Sequence, residues 1–215
     1  MNTKWISPKT IIGSVATGDY FFPRQDVVEE IWEELDKGNF VILAAPRRVG
    51  KSSILKDLEK KPKNGYKVKF ENIQSLTSEN EFYQKIYSIF LSCLEKSATK
   101  AVTTWLKKYL TNKDIKLTTS GIELKSNTST FNYKEEIELL LNELEEFDEC
   151  VVILLDELPE VLHNLYKKGK TEEAISILKQ LRNWRQKGYQ KLRFVITGSI
   201  GIHYVVQAIE GRNAD

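Results

Sequence analysis

Apolar runs typical of strands alternate along the chain with stretches of helical periodicity. The strand candidates are Phe40–Ala45, Tyr66–Ile73, Cys150–Asp156 and Leu192–Gly198. The first, third and fourth are almost continuously apolar, which is typical of strands covered on both faces. The second alternates more strongly and is expected nearer an edge of the sheet. This order predicts an α/β fold with a mainly parallel sheet and helices on both of its faces.

Three stretches repeat apolar residues at helical spacing, and each stripe is expected to pack in the core. Ser78 and Glu81 form a capping-box pattern ahead of the first stripe. The segments IKL and IEL flank TTSG and predict a small β-hairpin within the polar stretch Ile115–Ser129. Pro159 and Gly169 bracket a short helix after the third strand. The stripes are Phe82, Ile86, Ile89, Phe90 and Cys93; Ile137, Leu140, Leu141 and Leu144; and Ala174, Ile177, Leu178, Leu181 and Trp184.

Composition places few limits on function. The chain has 215 residues, 41% of them apolar and 29% charged, which is ordinary for a globular protein. A net charge of +2 gives no support to nucleic-acid binding. No apolar run reaches membrane-spanning length, and the N-terminus lacks a secretory signal pattern. Cys93 and Cys150 lie in apolar patterns, so we expect reduced thiols and a cytoplasmic protein. Two scattered histidines and two cysteines disfavour a transition-metal site.

A basic loop containing one glycine follows the first strand and precedes a helical pattern. Such a loop offers converging backbone N–H groups to a phosphate, and the helix dipole favours the negative charge. Lys51 is expected to meet the β- and γ-phosphates, Ser52 to place a hydroxyl on Mg²⁺, and Gly50 to close the turn. Ala45 departs from the first glycine of the pattern G-x-x-x-x-G-K-[ST]. The predicted nucleotide-binding residues are Ala45, Pro46, Arg47, Arg48, Val49, Gly50, Lys51, Ser52 and Ser53.

The third and fourth strands both end in polar residues. In parallel sheets, ligands bind at the carboxyl ends of the strands. Asp156 is therefore expected to hold Mg²⁺, and Glu157 to polarise the attacking water. Thr197 and Ser199 end the fourth strand, where a polar group could lie between the acids and the γ-phosphate. With Lys51, the residues Glu157 and Ser199 complete the predicted catalytic set. The alternatives are an acid pair that merely begins a helix and a Gly-Ser turn without chemistry.

At these residues the chain resembles the AAA-type P-loop ATPases. Ala45–Ser52 is similar to their Walker A loop, Asp156 and Glu157 to the Walker B acids, and Thr197–Ser199 to sensor 1. The match is nearest to the prokaryotic AAA/STAND-like group, which is related to archaeal ATPases and distantly to origin-recognition initiators. The resemblance implies a three-layer P-loop fold of the additional-strand type, with ATP and Mg²⁺ as cofactors.

The resemblance also bears on domain organisation. It implies one nucleotide-binding domain over residues 1–215, with an N-terminal segment and helix at 1–38 and a core at 39–215 that carries an insertion near 99–130. The stretch GDYFFPRQDVVEEIWEEL resembles the segment that packs near adenine, which includes Arg24. In the family, a fifth strand and a helical lid follow sensor 1. We therefore expect a C-terminally truncated core, a bare sheet edge beside the phosphate-loop strand and weak turnover.

The leading hypothesis is an ATP-binding core that hydrolyses ATP as a conformational switch. One alternative is a nucleotide-binding interaction module with little turnover, and another is a DNA-associated ATPase. A kinase fits less well, because adjacent acids at the strand end suit water activation. Expected partners are the nucleotide and a second copy or another protein, with no membrane. The choice of ATP over GTP is implied by the resemblance.

Overall fold

The computed structural model describes residues 24–95, 100–113, 115–118, 121–124 and 131–211. These residues form eight helices and six strands. In chain order the elements are α1 Gln25–Asp36, β1 Val41–Ala44, α2 Lys51–Lys60, β2 Tyr66–Asn72, α3 Glu79–Glu95, α4 Lys100–Asn112, β3 Ile115–Thr118, β4 Gly121–Leu124, α5 Tyr133–Leu144, β5 Cys150–Asp156, α6 Leu158–Lys167, α7 Thr171–Lys187, β6 Leu192–Gly198 and α8 Ile202–Glu210.

The central sheet has four parallel strands in the order β1-β6-β5-β2. All four predicted strands are present, and β2 lies at an edge as predicted. The predicted hairpin forms a separate antiparallel pair, β3 and β4, with Ile115 opposite Leu124. Its linking residues 119–120 and the stretch 125–130 lie outside the described residues. The crossover connections between parallel strands are helical, as parallel pairing requires.

Helices cover the sheet on both faces and make three layers. On one face, α1 and α2 bury Leu35, Leu55 and Leu58 against Val152 and Val195 of the inner strands. On the other face, α3, α5, α6, α7 and α8 form the larger core. The three predicted apolar stripes lie in α3, α5 and α7 and pack in that core. The predicted α/β fold is therefore confirmed.

The prediction that the first strand is covered on both faces is wrong. Val41 and Leu43 pack towards α1 and α2, but Ile42 is 51% exposed and Ala44 is also exposed. Within the described residues β1 is an edge strand. The edge position agrees with the bare sheet edge that the family resemblance implied. The apolar composition of β1 did not indicate it, because composition depends on the residue types of a strand and not on its place in the sheet.

The predicted capping box before α3 is only half formed. The Ser78 hydroxyl accepts a hydrogen bond from the Glu81 N–H at 3.2 Å, as predicted. The Glu81 carboxylate, however, accepts from the N–H of Thr77 at 2.7 Å rather than from that of Ser78. The glutamate thus satisfies a donor one residue earlier, which fixes the chain as it enters the helix.

The Glu138 carboxylate connects α5 to α7 through hydrogen bonds that no sequence pattern indicated. Glu138 accepts hydrogen bonds from Gln180 Nε2 at 2.7 Å, Trp184 Nε1 at 2.8 Å, Lys187 Nζ at 2.6 Å and Tyr189 Oη at 2.9 Å. Burial raises the pKa of Glu138, but the hydrogen bonds from Lys187, Trp184 and Tyr189 outweigh it and leave that pKa below its ordinary value. The ionised form therefore stabilises the fold.

Two further predictions concern the setting of the protein. Cys93 and Cys150 are both free thiols, and burial raises the pKa of Cys150 to about 11. No helix in the described part of the chain combines the length and the apolar character that crossing a bilayer requires.

Candidate nucleotide-binding site

Three polar residues stand side by side at the carboxyl ends of β2, β5 and β6. Asn72 is in register with Asp156, and Asp156 is in register with Thr197. Asp156 is only 2% exposed. One of its carboxylate oxygens accepts from the Thr197 hydroxyl, and the other accepts from Ser52 Oγ at 2.6 Å and Asn72 Nδ2 at 3.3 Å. A buried carboxylate needs such donors, so its orientation is fixed by all three neighbours.

The loop between β1 and α2 opens the N-terminus of α2 to an anion. Gly50 is the N-cap and has φ +90°, a conformation that favours glycine. The first helical bond runs from Ile54 N to Gly50 O at 3.0 Å. No side chain caps this helix end and no acid lies in its first turn. The early N–H groups and the positive end of the helix dipole are therefore directed at the loop.

Lys51 lies inside the loop with its side chain buried. The residue is 7% exposed, and its Nζ donates to Ala45 O at 2.6 Å and Pro46 O at 2.7 Å. These carbonyls compensate the ammonium for lost water and hold it at the base of the loop.

Ala45 does not have a positive φ, so its Cβ fits the turn without strain. The departure from glycine thus has a structural explanation.

The other loop residues differ in placement. Arg48 has φ +66° and lies exposed in the left-handed region. Val49 is half-buried, and Ser53 is buried within α2. Arg47 turns away from the loop: its Nε donates to Ser199 Oγ at 3.1 Å and its Nη2 to Glu160 Oε2 at 3.4 Å. No motif in the sequence indicates this contact to Glu160.

Glu157 lies next to Asp156 but has different partners. Its carboxylate accepts from the Ser199 N–H at 3.1 Å and from Ser199 Oγ at 3.0 Å. Its backbone has φ +68°, so it is held in the left-handed region, which costs a non-glycine residue about 1–2 kcal/mol. Within the described residues, the only non-glycine residues with positive φ are Arg48 and Glu157, and both lie at this site. Such strain persists where the surroundings fix it and clusters at functional sites.

The end of β6 serves both acids. Thr197 donates to Asp156, and Ser199 donates to Glu157. Between them, Gly198 permits close approach of α6, because a Cβ there would collide with the ring of Pro159. The structure therefore brings together Lys51, Ser52 and the two strand ends. Asn72 was missed, although a polar residue at a strand's carboxyl end was the same signal that identified Thr197.

Arg24 is exposed and stands at the N-cap of α1, where its carbonyl accepts a hydrogen bond from the Val28 N–H at 3.0 Å. The segment Gly18–Pro23 before it lies outside the described residues. A role near adenine stays a prediction.

The oxygen ligands at the site fit Mg²⁺ that arrives with a phosphate. No group of three or more His, Cys, Asp or Glu able to hold a metal occurs among the residues that the structure describes. The Ser52 hydroxyl and the Asp156 carboxylate nevertheless lie 2.6 Å apart. Mg²⁺ commonly takes one or two protein oxygens and completes its octahedron with water and phosphate oxygens. Ser52 and Asp156 therefore suit Mg²⁺ that is bound partly by protein oxygens and partly by phosphate and water.

A parallel sheet, a glycine-lysine-serine loop at a helix N-terminus and an acid on a neighbouring strand end together define a P-loop nucleotide-binding protein. A family model described as "Predicted AAA-ATPase" matches residues 16–206. The chain belongs to this AAA-ATPase-like family. The predicted resemblance to AAA-type ATPases is confirmed, and with it the ATPase type of nucleotide binding.

One similar solved structure is that of the ORC2 protein of Aeropyrum pernix in ADPNP-ADP complexes. The two chains are 12% identical with a TM-score of 0.43, and the match covers 98% of this chain and 47% of that one. The chain thus spans about half the length of that protein. No curated protein matches the chain in sequence.

Proposed function

We propose that the chain is the ATP-binding core of an AAA/STAND-like ATPase that hydrolyses ATP with Mg²⁺ and uses the reaction as a conformational switch. One observation carries the proposal: the phosphate loop and the acidic strand end are joined by the 2.6 Å bond from Ser52 Oγ to Asp156 Oδ2. Two residues far apart in the chain meet where a metal bound to phosphate oxygens would need them.

The backbone of loop residues 45–53 and the Lys51 side chain would bind the triphosphate. Lys51 is the one of them with a buried cationic side chain, and its partners are two loop carbonyls that a phosphate oxygen could replace or join. The α2 N-terminus adds N–H donors that no side chain occupies. Charge-assisted bonds of this kind are about twice as strong as neutral ones. The site therefore favours an anion of high charge.

Ser52 and Asp156 would hold Mg²⁺. When bound, the ion neutralises charge on the transferring phosphoryl group. Asn72 and Thr197 keep the Asp156 carboxylate oriented through their own hydrogen bonds. Residues that orient a metal ligand in this way tune its affinity for the metal.

Glu157 would act on the attacking water. Its carboxylate accepts the hydrogen bond of a water and so orients the oxygen lone pair toward phosphorus, while Lys51 stabilises the charge on the phosphoryl oxygens. Ser199 holds the same carboxylate through two donors and so sets its position. The water oxygen would form a bond to the γ-phosphorus as the bond to the bridging oxygen breaks, and the water would lose a proton through Glu157 to solvent. The products are ADP and inorganic phosphate.

Contacts between separate elements support the switch. Arg47 of the phosphate loop contacts both the end of β6 and α6. A movement of the loop on loss of the γ-phosphate would therefore change the contacts at these two elements. In nucleotide switches it is likewise the γ-phosphate that holds or releases neighbouring segments. We infer that the read-out is made by a protein partner or a second copy of the chain in the cytoplasm.

Titration calorimetry with ATP and Mg²⁺ tests the binding half of the proposal. Lys51→Ala should lower ATP affinity at least about tenfold, because it removes a charge-assisted contact. Lys60→Ala, an exposed lysine on the same helix, is the matched control and should bind like the parent. Equal affinity of the parent and Lys51→Ala would contradict the phosphate loop.

Phosphate release tests the catalytic half. Glu157→Gln keeps the size of the side chain and removes its charge, so it should stop turnover while ATP binding stays close to the parent. Turnover at the parent rate in Glu157→Gln would remove Glu157 from the role of catalytic base. If the parent binds Mg²⁺–ATP and releases no phosphate, the protein is instead a nucleotide-binding module with little turnover.

A further inference from the structure

Arg47 belongs to the phosphate loop, yet its guanidinium contacts two other elements. Its Nε meets Ser199 Oγ at 3.1 Å, beyond the end of β6. Its Nη2 meets Glu160 Oε2 at 3.4 Å, in the first turn of α6. The planar guanidinium can span two acceptors in a fixed geometry, which a lysine cannot do. Both acceptors flank Glu157, which lies three residues before Glu160 in the chain.

The chemistry of the donors fixes the direction of this chain of hydrogen bonds. A guanidinium only donates, so Ser199 Oγ must accept from Arg47. The serine hydroxyl has a single proton, and its remaining partner is Glu157 Oε2 at 3.0 Å. Arg47 therefore directs the Ser199 proton toward the Glu157 carboxylate. Cooperative polarisation along such a chain strengthens each bond in it.

Glu157 depends on these bonds because its own backbone is strained. Its φ of +68° places it in the left-handed region, and Ser199 holds its side chain through both the amide and the hydroxyl. The Glu160 carboxylate accepts the hydrogen bond from Arg47 Nη2, and the Glu160 N–H donates to Glu157 O at 3.1 Å. The four residues thus form one closed set of contacts around Glu157.

We propose that Arg47 is a positioning residue that orients Ser199 and, through it, the carboxylate of Glu157 for catalysis. The proposal rests on the function proposed above. It separates the two loop arginines, since Arg48 makes no hydrogen bond or ion pair with any residue that the structure describes. It also assigns Arg47 to the water side of the reaction rather than to phosphate binding.

A positioning role and a structural role differ in what they change. The Arg47 side chain is 66% exposed and its contact to Glu160 is long. Exposed ion pairs contribute little to folding, with a median of about 0–1 kcal/mol. Loss of Arg47 should therefore leave the unfolding midpoint nearly unchanged. Its effect should fall on kcat, because the carboxylate acts on water and not on bound nucleotide.

The test replaces Arg47 with methionine, which keeps most of the stem and removes every donor. Arg47→Met should lower kcat about tenfold and change KM and the ATP dissociation constant less than about twofold. Arg182→Met, on an exposed arginine of α7, is the matched control and should equal the parent. In a double-mutant cycle, Arg47→Met combined with Ser199→Ala should be no slower than Ser199→Ala alone. The proposal would be overturned if ATP affinity fell as much as kcat, or if kcat did not change. It would also be overturned if the two substitutions together lowered kcat by the product of their separate effects.

A second measurement needs neither nucleotide nor turnover. The Ser199 amide donates to Glu157 Oε2 at 3.1 Å, so its hydrogen exchange reports on the carboxylate's position. Exchange at Ser199 should be at least about fivefold faster in Arg47→Met than in the parent, and unchanged in Arg182→Met. Equal exchange in Arg47→Met and the parent would overturn the proposal. If the parent lacks ATPase activity and exchange still rises in Arg47→Met, the proposed function fails and the positioning role of Arg47 stands.

Discussion

Ser52 Oγ donates a 2.6 Å hydrogen bond to Asp156 Oδ2, joining residues that are 104 positions apart in the chain. The bond connects the start of α2 with the end of β5. Asp156 is almost fully buried and receives two further donors, from Asn72 and Thr197. Two neighbouring strands, β2 and β6, therefore hold the carboxylate that β5 carries, and a third element, α2, adds a hydroxyl that a metal could share with it. This is the geometry on which the predicted Mg²⁺ site depends.

Ser52→Ala should weaken ATP binding more in the presence of Mg²⁺ than in its absence. In the proposed site the hydroxyl binds the metal and not the phosphate, so its loss should have little effect when the metal is absent. Titration calorimetry with Mg²⁺ and with a chelator measures both losses, and we expect them to differ at least about fivefold. Ser92→Ala, whose hydroxyl bonds to Ile89 O within α3, is a control remote from the site. Equal losses under both conditions would exclude Ser52 as a metal ligand.

Ala45→Gly should leave ATP affinity within about twofold of the parent. The position does not have positive φ, and its carbonyl already accepts Lys51 Nζ at 2.6 Å. Glycine therefore relieves no strain and adds chain entropy, which costs up to about 1 kcal/mol of stability. Calorimetry and urea unfolding on the same samples give both numbers. A tenfold gain in affinity would show that the Cβ of Ala45 crowds the phosphates.

The strained backbone of Glu157 gives a prediction about stability that does not depend on the carboxylate. Glu157→Gly and Glu157→Ala both lose the carboxylate and its bonds to Ser199. At φ +68° glycine is unstrained and alanine is not, so the glycine variant should be the more stable by about 1 kcal/mol. Urea unfolding monitored by circular dichroism measures this difference.

The same pair of substitutions at an ordinary helical position supplies the control. Arg182 lies within α7 and is exposed, so Arg182→Gly should be less stable than Arg182→Ala by about 1 kcal/mol. The glycine variant is therefore expected to be the more stable of the two at Glu157, and the alanine variant the more stable at Arg182. If alanine is the more stable at Glu157 as well, the left-handed conformation does not exist in solution.

The strands and buried stripes were predictable because they follow from local periodicity. Cys150–Asp156 and Leu192–Gly198 match their predicted bounds, since inner parallel strands are almost continuously apolar. The exposure of Ile42 was not predictable from the residues of β1, because it depends on the neighbouring elements. The edge position of this strand was expected only from the family resemblance. A periodic pattern describes one element, whereas burial at a sheet edge depends on its neighbours.

The candidate site divides in the same way. Lys51, Ser52 and Asp156 are residue types that a nucleotide site requires at these positions, so their motifs could be found in the sequence. Asn72 and Glu160 contribute only through contacts made by the folded chain, and each is a common polar residue. The position of Asn72 at the carboxyl end of β2 was a usable signal, but its pairing with Asp156 follows from strand register. The Glu160 contact follows from the turn into α6, which no spacing in the sequence encodes.

Glu138 predicts how stability depends on pH. Burial raises the pKa of this carboxyl, yet the bonds from Lys187, Trp184 and Tyr189 leave it below the ordinary value of 4.5. A carboxyl whose pKa is lower in the folded state stabilises the protein above the unfolded pKa. That contribution is lost as the pH falls below about 4.5 and through the folded pKa.

Glu138→Gln should therefore destabilise the protein by about 2 kcal/mol at pH 7, because an amide group is turned toward donors that need an acceptor. The difference between parent and variant should shrink as the pH falls below about 4.5, where the parent carboxyl also takes up a proton. Urea unfolding at a series of pH values from neutral to acidic measures both free energies. Glu143→Gln, an exposed glutamate on the same helix, should match the parent at every pH. A constant difference across the series would mean that the charge of Glu138 is not what stabilises the contact between α5 and α7.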